Sequence, residues 1–191
     1  MAKAFVFVLL CFLCAACNKP NPLPPLPPDT STPTLSNPIV SFASVTRFIP
    51  FGGIRTNAAV CEGYEILLTD TEQFYVSASQ GIVSSISLNS SGSNDITVKY
   101  KANSIYSFLY SGVRNVQVQV NDSLIPGTIL GKVSYNGDIY MSLTRSNEAL
   151  CPHTYASTGF NTAIQLAIGK DISFNPADSA LTACLKDSLS K

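Results

Sequence analysis

The chain has 191 residues, with 12 Lys and Arg balanced by 12 Asp and Glu, and a single histidine. That length holds one ordinary domain plus tails. A net charge of zero without a basic run excludes a nucleic-acid-binding face, which needs clustered Lys and Arg to meet phosphates. Charged residues are sparse while Ser, Asn, Thr and β-branched residues are plentiful, which suits an all-β extracytoplasmic domain.

Residues 1–16 read as an export signal: Lys3 supplies the positive start, residues 4–13 the apolar run, and Ala15-Ala16 the small residues before Cys17. The run is short for a membrane span. Small-small-Cys resembles a bacterial lipobox, in which the Cys becomes the lipidated first residue. Cys14 stands three places before Cys17, where an aliphatic residue is usual. An ordinary signal peptide with an incidental Cys17 is the alternative. Lipidation would anchor the chain to a membrane, each buried CH₂ contributing ~0.8 kcal/mol. Residues 17–38 then form a Pro-rich linker. Eight of the chain's twelve prolines fall in it, so it favours an extended stalk over a core.

The folded part starts at residue 39. Residues 39–54 read as a strand broken at Pro50 and Gly52-Gly53. Further strands are expected at 64–68, 74–78 and 82–88, with 96–101 and 104–110 forming a hairpin across Ala102-Asn103. Val116, Val118 and Val120 alternate with Gln117 and Gln119, the period-2 pattern of a half-buried strand. Asn121-Asp122 and Pro126-Gly127 are turns. Strands at 128–133 and 139–143 flank Asn136-Gly137, a dipeptide that favours a tight hairpin. Residues 162–168 are apolar and fit helix or strand equally. Residues 176–188 read as a short helix, with Pro176 near its start and Leu181 and Leu185 on one face.

The order and spacing of several pieces resemble the LytM/lysostaphin-type zinc endopeptidases. FYVSASQGIV at 74–83 is similar to the family's strand leading into a glycine. YSGV at 110–113 falls at its Y-x-H-L motif. VQVNDSLIPGTILGKV at 118–133 matches its middle hairpin, DIYMS at 138–142 its H-L-H-F-E, and LCPHTY at 150–155 its N-P-aromatic ending. The resemblance implies an all-β duplicated hybrid motif, a barrel-sandwich hybrid over 39–155. Residues 156–191 form a C-terminal extension with a short helix.

The resemblance also implies that the metal chemistry is gone. The family holds zinc with the His and Asp of H-x-G-x-D and the second His of H-x-H. CEGYE at 61–65 falls at the first motif, placing Cys61 at the His and Glu65 at the Asp. Tyr140 falls at the second zinc His, Asp138 at the first His of H-x-H, and Gly112 at the His of Y-x-H-L. Both the metal and the imidazoles that would assist attack on a peptide carbonyl are therefore expected to be absent. His153 reads as a surface or packing residue. No G-x-S-x-G elbow, phosphate loop or dinucleotide fingerprint is present.

Outside the signal the cysteines are Cys17, Cys61, Cys151 and Cys184. With Cys17 lipidated, the preferred disulfide is Cys151–Cys184, contributing about 3–4 kcal/mol by loop closure. Cys61 is then buried and free, or displaces one of the two as partner.

The expected protein is a lipid-anchored cell-envelope protein, at the outer membrane facing periplasm or surface. It would have no cofactor, and would bind peptidoglycan or a cell-wall hydrolase without catalysis. Two alternatives remain. One is an active peptidoglycan metallopeptidase that binds zinc through substitute ligands. The other is a plain structural or adhesion module; a carrier of a lysine-linked group is disfavoured because the Asn136-Gly137 turn holds no lysine.

Overall fold

The computed structural model describes residues 25–55 and 57–168. The signal segment, Cys17, Cys184 and the helix expected at 176–188 lie outside the described residues.

Ten strands follow in chain order among the described residues: β1 (Val45–Ile49), β2 (Tyr64–Leu68), β3 (Phe74–Val76), β4 (Gly81–Leu88), β5 (Asn94–Lys99), β6 (Tyr106–Arg114), β7 (Ser123–Leu124), β8 (Ile129–Val133), β9 (Asp138–Arg145) and β10 (Glu148–Leu150). All their pairings are antiparallel, and the main path runs β1-β2-β9-β6-β5-β4-β7. This is the all-β architecture expected from the sequence. A 3-10 turn (Phe42–Ser44) precedes β1, and an α-helix, α1 (Thr158–Ile168), closes the described part.

The hub is β6. Tyr106, Phe108 and Tyr110 alternate inward with Ser107, Leu109 and Ser111 outward, so one face joins the core. Its first six residues pair with β9, and its last two, Val113 and Arg114, pair with β8. The switch falls at Gly112, whose φ is +86°. A Cβ there would lie 2.5 Å from the Asp138 carbonyl oxygen, so a side chain at this position would displace β9. The core gathers Phe48, Tyr64, Tyr75, Phe108 and Tyr110 with Ile66, Ile96 and Leu130. Two of its tyrosine hydroxyls are hydrogen-bonded: Tyr75 Oη donates to the Tyr140 carbonyl at 2.9 Å, and the Ala78 amide donates to Tyr110 Oη at 3.1 Å.

Four readings change or are settled. Residues 116–120 are not a strand. Asn115 (φ +49°) ends β6, and beyond it the Gln117 amide reaches the Leu130 carbonyl (2.9 Å) while the Gln119 amide turns to the Asp122 carboxylate (2.7 Å), so no ladder continues. Asn136-Gly137 does turn the chain, but the strands beside it do not pair with each other: β8 pairs with β3 and β6, and β9 with β2, β6 and β10. The ambiguous stretch at 162–168 is helix. Ser157 caps α1, its Oγ accepting the Phe160 amide at 3.3 Å, and Phe160 and Ile164 are buried as the helix packs on the 3-10 turn and β1.

The fourth change concerns the linker, because residues 29–36 are docked on the barrel. Asp29 exchanges backbone hydrogen bonds with Asn103 and Ile105 and ion-pairs with Lys101 at 2.9 Å. Leu35 is fully buried, its amide donating to Tyr155 and its carbonyl accepting from Ser157. The one aliphatic side chain in this stretch joins the core.

Candidate functional site

Adjacent strands present Glu65, Asp138, Tyr140 and Ser111 on one face of the sheet. Glu65 on β2 stands opposite Tyr140 on β9, which stands opposite Ser111 on β6; Asp138, two residues before Tyr140, shares its side. Above this floor is a cleft of about 370 Å³. Its walls are Arg55 on one side, Asn89, Ser91 and Ser93 from the β4–β5 turn on another, and Asn136 from the turn before β9.

The β4–β5 wall is a self-contained polar knot. Asn89 Oδ1 accepts from the amides and hydroxyls of Ser91 and Ser93 at 2.7–3.2 Å. The Asn89 amide nitrogen and the Ser111 hydroxyl both donate to Asp95 Oδ1, at 2.9 and 2.6 Å. Serine and asparagine here build a rigid rim that offers amide and hydroxyl groups to a ligand.

The opposite side is ionic. Glu65 accepts one ion pair on each oxygen, from Arg47 at 2.9 Å and from Arg55 Nε at 2.7 Å. The Arg55 guanidinium lies over the Tyr140 ring, 5.0 Å from its centre. Asp138 accepts no hydrogen bond on its carboxylate among the described residues. Burial, then the charge of Glu65, pushes its pKa up, against the pull of Arg47 and Arg55. Burial likewise pushes the Tyr140 phenol up, opposed by a hydrogen bond with Ser142.

Of the five degenerate-site positions expected from the resemblance, Glu65, Gly112, Asp138 and Tyr140 line this one cleft. Cys61 does not open into it. Its thiol is fully buried, donates to the Gly63 carbonyl at 3.2 Å, and is pushed up by burial. It remains within electrostatic reach of Arg55, Glu65 and Tyr140. Cys61 is free and Cys151 is disulfide-bonded. His153 sits in a 3-10 turn (Pro152–Tyr155) and takes no part in the cleft.

These residues do not fit a zinc ion. Glu65 is committed to two arginines, Cys61 and Tyr140 are both biased toward their protonated forms, and the nearest cation-seeking group left is a lone carboxylate. Among the described residues, no three His, Cys, Asp or Glu side chains are grouped to hold a metal. Arg55, Arg47 and the Asn89–Ser93 knot were missed by sequence reasoning. The isolated arginine in the Gly-rich stretch before Cys61 was the one available signal.

Antiparallel topology, a cleft at the β2–β9–β6 face and the change of strand partner at Gly112 define a LytM/lysostaphin-type fold. Solved structures agree on the fold. Lysostaphin in solution superposes with a TM-score of 0.51 at 14% identity over 66% of this chain and 54% of that one. Csd3 of Helicobacter pylori superposes at 0.50 with 16% identity over 83% of this chain and 44% of its own. A chain of the SpoIIQ–SpoIIIAH pore-forming complex superposes at 0.51 with 18% identity over 80% of this chain and all of its own. This chain therefore spans about half the length of the lysostaphin and Csd3 chains it matches. No protein-family profile matches the sequence, and no curated protein does either.

Proposed function

We propose that this is a lipid-anchored protein of the cell envelope, at the outer membrane, whose LytM-type domain binds peptidoglycan without cutting it. The observation that carries the reading is the cleft itself. It is open and lined with amides and hydroxyls, as a peptide- or sugar-binding groove needs, while its floor is closed by Arg–Glu pairs instead of a metal. The anchor is read from the sequence alone, through Cys17.

A second reading has its own observation. Ile54 and Val60 pair across a bridge beside Arg55 and are 65% and 47% exposed, an apolar pair at the rim that suits a protein partner such as a cell-wall hydrolase. A chain of this fold also occurs in the SpoIIQ–SpoIIIAH complex.

Cosedimentation of the detergent-solubilised full chain with purified sacculi tests the first reading. Wild type should pellet with sacculi, and Asn136→Ala or Asp138→Ala should weaken it several-fold, with no release of muropeptides. Zinc-dependent digestion of the sacculi would overturn it. Ile54→Ser with Val60→Ser should leave sacculus binding intact; loss of hydrolase activation by that variant would favour the second reading. Incorporation of labelled fatty acid, abolished in Cys17→Ser, tests the anchor.

A further inference from the structure

The three positions that the resemblance assigns to metal ligands are Cys61, Glu65 and Tyr140. In this chain they converge on a single side chain. Arg55 Nε stands 2.7 Å from Glu65 Oε2, the guanidinium covers the Tyr140 ring at 5.0 Å, and Cys61 is a close electrostatic neighbour. The backbone around Arg55 is tightened to hold it there. The Arg55 amide donates to the Ala59 carbonyl and the Ala58 amide to the Arg55 carbonyl, both at 2.9 Å. Asn57 Oδ1 accepts the Ala59 amide at 3.1 Å, Ala58 takes a left-handed φ of +62°, and Ile54 bridges Val60. In the stretch PFGGIRTNAAVC, Arg55 is the only charged residue.

We propose that Arg55 is a built-in cation that takes the place of a metal ion in this cleft, holding Glu65 and Tyr140 in position and barring divalent metals. The chemistry suits the role. A guanidinium keeps its charge at every physiological pH, pairs with a carboxylate, and stacks on an aromatic face, so one group can satisfy both kinds of neighbour. The charge balance agrees. Arg47 and Arg55 supply two positive charges, and Glu65 and Asp138 two negative ones, so the floor is neutral as it stands. A dication within about 5 Å of the guanidinium would be repelled by roughly 10⁴-fold or more in affinity at an effective dielectric of ~20. The assignment concerns the same cleft as the proposed function but not its ligand: sacculus binding can fail with Arg55 in this role, and the reverse.

Zinc binding by the full chain, measured by calorimetry and competition with a chromophoric chelator, tests it. Wild type and Arg55→Lys should take up no stoichiometric zinc. Tyr140→His alone should bind weakly, because the cation remains. Arg55→Ala with Tyr140→His should bind one zinc per chain, about 100-fold or more tighter than Tyr140→His alone, and lose it again on Glu65→Gln. Should that variant fail to fold, Arg55→Gln with Tyr140→His keeps the side-chain bulk and is read with cobalt, whose thiolate charge-transfer band reports ligation by Cys61. Stoichiometric zinc in the wild type, lost in Glu65→Gln, would overturn the assignment. So would equal metal affinity in Tyr140→His with and without Arg55.

Discussion

Two glutamates in this domain each stand between two cations, beside a tyrosine covered by an arginine. Glu65 meets Arg47 and Arg55, with Arg55 over Tyr140 at 5.0 Å. Glu72 meets Arg114 and Lys132, with Arg114 over Tyr135 at 4.6 Å. The same plan, a glutamate between two cations with one arginine over a tyrosine, gives different physics because burial is inverted. In the cleft the glutamate is enclosed, 14% exposed, and its arginines are about a third exposed. In the outer cluster the glutamate is 67% exposed and Arg114 only 8%. Arg114 is also satisfied without Glu72, since it donates to the Val133 and Thr71 carbonyls at 2.7 Å each. In the cleft, Nε of Arg47 and of Arg55 are buried and make no aligned hydrogen bond among the described residues. The outer cluster is therefore a brace tying three backbone segments together. The inner one is an electrostatic floor that depends on its carboxylate.

The comparison predicts which partner matters in each cluster. Glu65→Ala should have the largest effect, about 2–3 kcal/mol of lost stability by denaturant titration, because two partly buried cations lose their counter-charge. An unchanged midpoint would show that solvent screens the inner cluster as well as the outer one. Arg114→Ala should follow at about 2 kcal/mol, since two backbone carbonyls lose their donor. In the outer cluster it is thus the arginine, and not the glutamate, that carries the cost.

Asp138 sharpens the inner half through pH. Its pKa is raised in the folded state, so the native protein holds the proton longer than the unfolded chain. That favours folding below the ordinary carboxylate range, and the advantage is lost as pH rises through the raised value. Asp138→Asn should therefore raise the melting midpoint at neutral pH and converge with the parent in acid, in thermal melts across that range. A parallel pair of curves would count against the enclosed floor. Glu72→Gln should have the smallest effect. Its pKa is lowered by Lys132 and Arg114, but it stands in solvent, and its melting curve should overlay the parent's.

Much of the fold was legible where local patterning and turn chemistry coincide. The strand expected at 64–68 is β2, that at 82–88 is β4 less its first residue, and the 96–110 hairpin is β5 and β6. Period-2 alternation failed at 116–120, where Val118 is buried but the backbone finds single partners on two different segments. Helix α1 was hidden because its eleven residues, TGFNTAIQLAI, carry no charge to mark a polar face, and its Ser157 cap reads equally as loop. The cleft positions were reached only through the resemblance. Nothing local marks Glu65 or Asp138 as neighbours 73 positions apart.

By itself, the sequence determined the all-β class and the turn at Asn136-Gly137. These follow from properties carried by single residues and short windows: side-chain alternation and the positive φ that Asn-Gly accepts. Tertiary structure alone decided that β8 and β9 part company at a hairpin-forming dipeptide, that Leu35 leaves the proline-rich stretch to enter the core, and that Arg55 arrives over Tyr140. Each of these is a choice among distant partners. Sheet order and the meeting of charges from separate loops depend on the energy of the whole packed arrangement, and no local window contains it.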